Sequence, residues 1–529
     1  MAWNYRKALR SFILQQYSGI PPGYLESAPF ALLLHPDMAK KHSILQEVPI
    51  HGIADRGKGV GRTAEGLTVF VTGAVPGDVV DVFVQKKKSG FAEGVVERIV
   101  VPSSDRVEPF CEHFSVCGGC KWQNLSYEAQ LRDKQQVVED TLLRIGKIKI
   151  GEFLPILGAP HTTYYRNKLE FGFSSRRWLL PGELDPTPDP SPEGRGVPLT
   201  VPSTSPLPSG EGPGVGFPGL GFHKAGFFDK IIDIRHCWLQ ADPSNEIRNT
   251  CRALAFEQGL EFYDLRRHTG FLRNLMVRLT TTGETMLLVS VARNDKKAIA
   301  RYLDAILEKF PQLTTLVYCV NTKLNDSLFD QDMLTYHGKG FVVEQLGDLK
   351  FKIGPKSFFQ TNSLQGKRLY DVAARFAGLT GQENVYDLYT GTGSIALYLA
   401  RHCRQVIGIE EIPEAIADAE ENMRLNGIEN AVFYAGDVKN VLTAEFAERH
   451  GKPDVVITDP PRAGMHEKAV RFLLDLAAPR IVYVSCNPAT QARDLQWLSE
   501  KYDVLKVQPV DMFPHTHHIE NVALLELRF

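Results

Sequence analysis

The run Val484-Ser485-Cys486-Asn487-Pro488 closes an apolar stretch, Ile481 to Val484, and so places Cys486 at the C-terminal mouth of a strand. Open α/β sheets bind their ligands at that edge. A carboxylate, Glu520, arrives about thirty residues later, after Asp511-Met512-Phe513-Pro514-His515-Thr516-His517-His518-Ile519 and beside a second strand-like run, Asn521 to Phe529. A thiolate with a base is what bond formation at an unactivated pyrimidine carbon needs. The thiolate adds to C6, C5 becomes nucleophilic, and the base later removes the C5 proton. His515, His517 and His518 are rivals for the base. Any isolated Cys and Glu would be a buried thiol and a solvated carboxylate, so the chemistry depends on what surrounds the pair.

Upstream, Asn384-Val385-Tyr386-Asp387-Leu388-Tyr389-Thr390-Gly391-Thr392-Gly393-Ser394 is a strand, a glycine turn and a helix start. Such a first βα turn lets the backbone approach a ligand closely. Ile407-Gly408-Ile409-Glu410 ends the next strand in an acid suited to ribose hydroxyls, and Asp437, after a third strand, could meet an adenine amino group. A nicotinamide dinucleotide is the rival ligand, but Ala396 occupies the third glycine position of G-x-G-x-x-G. The D-L-Y-T-G-T-G pattern resembles the S-adenosylmethionine loop of class I methyltransferases. Asp459-Pro460-Pro461-Arg462 follows the strand Val455-Val456-Ile457 as a rigid shelf. Amino-group methyltransferases carry an aromatic residue after the prolines; Arg462 speaks against adenine nitrogen and suits a phosphate or a uracil carbonyl.

Cys111, Cys117 and Cys120, with Cys237 in Arg235-His236-Cys237-Trp238, supply four thiols. Sets of this kind bind tetrahedral zinc or an iron–sulfur cluster. Cys251, Cys319 and Cys403 have no comparable setting and read as ordinary buried thiols.

The elements that must position these groups fall into three domains behind an N-terminal extension. At 529 residues the chain has ample core, and a net charge of −2 excludes nucleic-acid binding by bulk charge. Contact with RNA must use local basic surface such as Lys86-Lys87-Lys88 or Arg166 and Lys168. No apolar run is long enough for a membrane span, and eight cysteines in so long a chain suggest no disulfide framework, so the cytoplasm is expected. Residues 1–43 read as a poorly ordered extension; Met38 looks like a natural start, and 1–37 like a mis-assigned one. Residues 44–102 alternate short β runs with glycines, as in an OB-type barrel, and resemble the TRAM domain of RNA-modifying enzymes. Residues 103–345 form a mixed α/β central domain. It includes a helix from Ser126 to Ile145, with Leu131, Val138, Leu142 and Ile145 on one face. A Pro-, Gly- and Ser-rich insertion at 181–219 lies between two strands and is too poor in apolar residues to form a core. Residues 346–529 read as a doubly wound α/β domain with an antiparallel edge.

Together these segments resemble the RNA 5-methyluridine methyltransferase family, in its 23S ribosomal RNA branch with an iron–sulfur cluster. The resemblance covers about Ile44 to Phe529 apart from the insertion, and the SCNP and HIE segments carry most of it. It implies a class I S-adenosylmethionine methyltransferase (Rossmann-like) domain with Cys486 as nucleophile and Glu520 as base. Gln360 (in Lys356-Ser357-Phe358-Phe359-Gln360-Thr361-Asn362), Tyr389, Glu410 and Asp459 would hold S-adenosyl-L-methionine. Cys111, Cys117, Cys120 and Cys237 would hold a [4Fe-4S] cluster, and Tyr165 to Glu170 would lie near the RNA. The implied partner is 23S ribosomal RNA, with no membrane and the chain acting as a monomer. Transfer RNA is the alternative substrate. Two other classes are an iron–sulfur redox or radical enzyme, for which the C-x3-C-x2-C spacing is absent, and a non-catalytic iron–sulfur RNA-binding protein.

Overall fold

The computed structural model describes residues 43–180 and 217–528. The expectations for 1–37 and for nearly all of the 181–219 insertion therefore lie outside the described residues. At the N-terminus, five strands between Ile44 and Val101 close into a barrel. Alternation of inward Val48, Val69, Val71, Val80, Val82 and Val84 with outward polar residues gives that barrel its core.

The central region is built on an eight-stranded mixed sheet. Its strands Lys168–Ser174 and Gly219–His223 pair antiparallel, so the chain on either side of the insertion is held together by backbone hydrogen bonds. The expected helix runs Tyr127–Asp140, with the Ser126 hydroxyl accepting from the Ala129 N–H. It then widens into a π-helical turn, Thr141–Ile145. The wider turn shifts the helical phase. Val138 and Leu142 remain fully buried, whereas Ile145, expected on the same face, is 72% exposed.

The C-terminal region is a second eight-stranded sheet. In spatial order its strands are Ala431–Ala435, Gln405–Glu410, Asn384–Leu388, Val455–Thr458, Arg480–Ser485, Glu520–Leu527, Tyr502–Val510 and Ile150–Phe153. The first five are parallel; Glu520–Leu527 runs antiparallel to both neighbours. Near-continuous apolar runs such as Val455-Val456-Ile457 suit strands covered by helices on both faces. Ile150–Phe153, from a segment expected in the central domain, adds the last strand, and Val138, Leu142 and Ile148 pack in the same core as Tyr386 and Tyr483.

That helix also anchors the loop leading to Glu520. Lys134 Nζ and Asp511 Oδ1 are 2.6 Å apart with both side chains fully buried, and the Tyr127 hydroxyl donates to Asp511 at 2.8 Å. A buried pair loses about 3–5 kcal/mol when one partner is removed, because the other charge is stranded. Lys134→Met is expected to lower unfolding free energy by about that amount in denaturant titration, and Lys134→Met with Asp511→Leu to recover much of it. A cost near zero for the single change would show that Lys134 does not anchor the loop.

Candidate active site

Five parallel strands deliver five of the expected residues to one edge. Tyr389 follows the strand ending at Leu388, Glu410 ends its own strand, and Asp437 lies two residues beyond Ala435. Asp459 follows the strand ending at Thr458, and Cys486 the one ending at Ser485. Glu520 opens the antiparallel strand beside Cys486. Ser485 pairs with Asn521, so the register continued by one step sets Cys486 opposite Glu520.

The glycine turn is shaped by backbone demands. Gly391 and Gly393 have φ of 56° and 78°, and a Cβ on Gly393 would lie 3.0 Å from Ala419 Cβ and 3.1 Å from the Phe433 ring. A Cβ on Gly391 would meet nothing within 4 Å, so this side of the turn is open for a ligand. Tyr389 adopts φ 63° without being glycine, a strained conformation of the kind that gathers at ligand sites. Glu410 accepts from the Gly391 and Ile412 N–H groups at 3.1 and 3.0 Å, fixing its carboxylate beside the turn. Gln360 is buried, and its carbonyl accepts from Asn167 Nδ2 at 2.9 Å. Asp437 caps the short helix Val438–Val441 and pairs with Lys439 at 2.5 Å, which lowers its pKa.

Charge is crowded here. Burial lifts Asp387 to about 7, and the charge on Glu410 adds to this. Desolvation and then Asp387 lift Asp459 to about 7. Burial lifts Glu520 well above the usual carboxylate range, with Asp459 adding to it and Arg462 opposing. Beyond burial, Asp459 is raised by Asp387 and in turn raises Glu520, an acidic setting that suits a cationic ligand such as a sulfonium with its α-ammonium. The Cys486 thiol is pushed up to about 11 by burial first, then by Glu520 and Asp459, while Arg462 favours its thiolate.

Arg462 ties the loops together. Its carbonyl accepts from Asn487 Nδ2 at 3.0 Å and Thr490 Oγ1 at 3.2 Å, and its guanidinium lies 3.1 Å from His518 Nδ1. Burial holds His518 down at about 3 and His515 at about 4. His515 Nδ1 is 3.1 Å from Gln130 Nε2, and its carbonyl accepts from the Lys121 and Trp122 N–H groups. These two histidines therefore stay neutral and serve the loop. Sequence reasoning missed Lys134, Asp511 and Gln130, whose contacts span more than 370 residues. It also missed the buried pair Gln491 and Asn521, joined at 2.6 Å, which locks the helix after Cys486 to the strand of Glu520. Asp511 stood within the quoted segment, but the partners carried no local signal.

Cys111, Cys117, Cys120 and Cys237 line one cavity of about 110 Å³ with Arg166, His236 and Trp238. All four are free thiols. Burial pushes Cys117 to about 12 and Cys120 to about 11, and raises the other two. Among the described residues no group of three His, Cys, Asp or Glu converges on a point suited to one metal ion. Beside this cavity the chain touches the 511–520 loop: the Tyr165 hydroxyl donates to the Pro514 carbonyl at 2.9 Å, and the guanidinium of the cavity-lining Arg166 lies 5.0 Å from the Phe513 ring centre.

The chain is similar to known proteins. The family model described as tRNA (Uracil-5-)-methyltransferase matches residues 329–528, and the TRAM domain model matches 45–96. An uncharacterized RNA methyltransferase of Porphyromonas gingivalis is 53% identical over 464 residues, covering 87% of this chain and 95% of the relative. One from Bacteroides thetaiotaomicron is 50% identical over 90% of this chain and 100% of its own. Among solved structures, the Pyrococcus abyssi tRNA (uracil-54, C5)-methyltransferase in complex with S-adenosyl-L-homocysteine aligns with a TM-score of 0.66 at 25% identity, covering 91% of this chain and 100% of that one. With its closed TRAM barrel ahead of a class I methyltransferase fold, this chain belongs to the RNA uracil-5-methyltransferase family.

Proposed function

We propose that the protein transfers a methyl group from S-adenosylmethionine to C5 of a uridine in 23S ribosomal RNA through a covalent bond between Cys486 and uracil C6. The observation that carries this reading is the register that sets Cys486 opposite Glu520, with Asp459 and Arg462 at the same edge. The bound cofactor supplies an electrophilic methyl group. Cys486 Sγ attacks C6, and the electron density pushed to C5 takes the methyl. Glu520 then accepts the C5 proton, and the C6–S bond breaks to release thiolate and 5-methyluridine. Tyr389, Glu410, Asp437 and Asp459 along the strand edge hold the cofactor, with Gln360 from the loop before the Ser363–Ala377 helix. Arg462 favours the attacking thiolate and can hold a uracil carbonyl or phosphate. Looping the uridine out of its stack is what brings C6 to a cysteine at a strand mouth.

The choice of a ribosomal acceptor follows the resemblance to the ribosomal branch of the family. Transfer RNA is favoured instead by two observations, the matching tRNA (Uracil-5-)-methyltransferase family model and the full-length likeness to a solved tRNA enzyme. Incubating unmodified transcripts of 23S ribosomal RNA and of transfer RNA with labelled methyl donor, then mapping nucleosides, separates the two. Label in 5-methyluridine of the 23S transcript is expected; label only in transfer RNA would move the substrate, and label at another atom would sink the mechanism. The cytoplasm and a monomeric state belong to the same reading; among the described residues no helix is long and apolar enough to cross a membrane.

The cysteine cavity fits a [4Fe-4S] cluster. Four cysteine side chains lining one cavity are a donor set that would suit such a group, as the family resemblance implies. Its role is to brace the central domain against the 511–520 loop, since methyl transfer consumes no electrons. Anaerobically purified protein is expected to be brown, with iron and sulfide in equal amounts, about four each per chain. Cys117→Ser should lose the colour; a colourless protein with stoichiometric zinc would overturn the assignment.

A further inference from the structure

The strands Gly219–His223 and Ile231–Asp233 are joined by a turn, residues 224–230, that carries two lysines and two phenylalanines. Lys224 Nζ lies 4.3 Å from the Trp178 ring centre and 4.6 Å from that of Phe227. Lys230 Nζ lies 5.1 and 5.0 Å from the same two rings. Lys230 is only 5% exposed, yet among the described residues neither ammonium has a carboxylate at ion-pair distance. The nearby acids are already taken: Asp229 by Arg266, Asp233 by Arg177 and Arg252, and Asp264 by Arg176. Both ammoniums lie over the same two rings, and Lys224 is lowered by burial and then by repulsion from Lys230. An anion seated between them relieves that repulsion, and Phe228, 67% exposed beside them, offers a bare aromatic face.

The turn is also continuous with the catalytic loop. Gly118 donates to the His223 carbonyl and Ala225 to that of Val116, which joins the turn to the cysteine loop. That loop in turn donates from Lys121 to His515, five residues before Glu520. We propose that this turn is a second RNA-contact surface, in which Lys224 and Lys230 take a backbone phosphate and Phe228 stacks a base. The chain's overall charge of −2 makes such local cation–aromatic surface the means by which it can grip an acidic polymer. The inference rests on RNA as the substrate class and not on which RNA is methylated.

The test uses the full chain and a fluorescent oligouridylate of about twenty nucleotides, long enough to span several OB-scale contacts, with anisotropy read over a series of salt concentrations. Lys224→Ala is expected to weaken binding several-fold and to reduce the slope of log K against log salt by about 0.7, the value for one single-strand phosphate contact. Phe228→Ala is expected to weaken binding about fivefold or more with the slope unchanged, as loss of a stacked base should. Lys309→Ala, at the far end of the Lys296–Lys309 helix, controls for bulk charge. Overturning the proposal requires only that Lys224→Ala and Phe228→Ala bind as tightly as Lys309→Ala. A changed sedimentation coefficient with unchanged affinity would likewise overturn it, making the turn a contact between copies of this chain. Because the oligouridylate need not be methylated, the assay reads this surface even where the ribosomal-RNA reading fails.

Discussion

Cys486→Ala is expected to remove both product and covalent RNA adduct, a loss on the order of 10⁴-fold or more, the scale seen when a covalent nucleophile is deleted. Without a nucleophile at C6, uracil C5 is too electron-poor to take a methyl group, so the surrounding site cannot compensate by binding the substrate. The variant should still fold and bind RNA, because Cys486 is partly exposed and makes no core contact that alanine lacks. The thiol near 11 adds a pH signature. Only the thiolate reacts, so adduct formation in the wild type should climb about tenfold per pH unit between roughly 6 and 9, until the thiol itself titrates. Arg462→Ala removes a cation that favours the thiolate and should displace that profile to higher pH. Full methyl transfer by Cys486→Ala, read as label in 5-methyluridine, would eliminate the covalent route.

Much of this corner was legible because its signals are local. An apolar run followed by Ser-Cys-Asn-Pro marks a strand, its mouth and a helix start within ten residues, and the same logic located Tyr389, Glu410 and Asp459 at neighbouring mouths. The right order of strands then brings such mouths together without any further instruction from sequence. The positions that could not be read depend on distant partners. Nothing near Lys134 announces that its ammonium will be buried against Asp511, 377 residues away. The Ile150–Phe153 strand is four residues of unremarkable pattern until the Tyr502–Val510 strand offers it an edge. Ile145 failed for a different reason: the 3.6-residue period holds to Asp140, and the π turn that follows has a different period. The cysteines are intermediate. Their spacing admits zinc or a cluster, and only the fold brings Cys237 to the same cavity as the other three.

Glu520→Gln should behave quite differently from Cys486→Ala. In the proposed mechanism its role begins after the methyl group has reached C5, when the C5 proton must leave before the C6–S bond can break. A glutamine occupies the same space at the mouth of the Glu520–Leu527 strand and keeps the pairing with Val510, so RNA binding and attack by Cys486 should survive. Turnover should fall by about 10²- to 10⁴-fold, the usual worth of a positioned base, and the chain should accumulate as a methylated covalent RNA complex that resists denaturing electrophoresis. Burial makes the assignment physically apt: a carboxyl raised well above its ordinary range is, once ionised, a stronger base than one in water. His515 and His518 are poor substitutes, since burial holds both far below neutrality and weakens them as proton acceptors. Tritium at C5 of the target uridine decides the matter, because wild type should release it to water and Glu520→Gln should retain it in the trapped complex. Normal tritium release by Glu520→Gln, with trapping by a His517 or His518 variant instead, would transfer the role of base from the carboxylate to an imidazole.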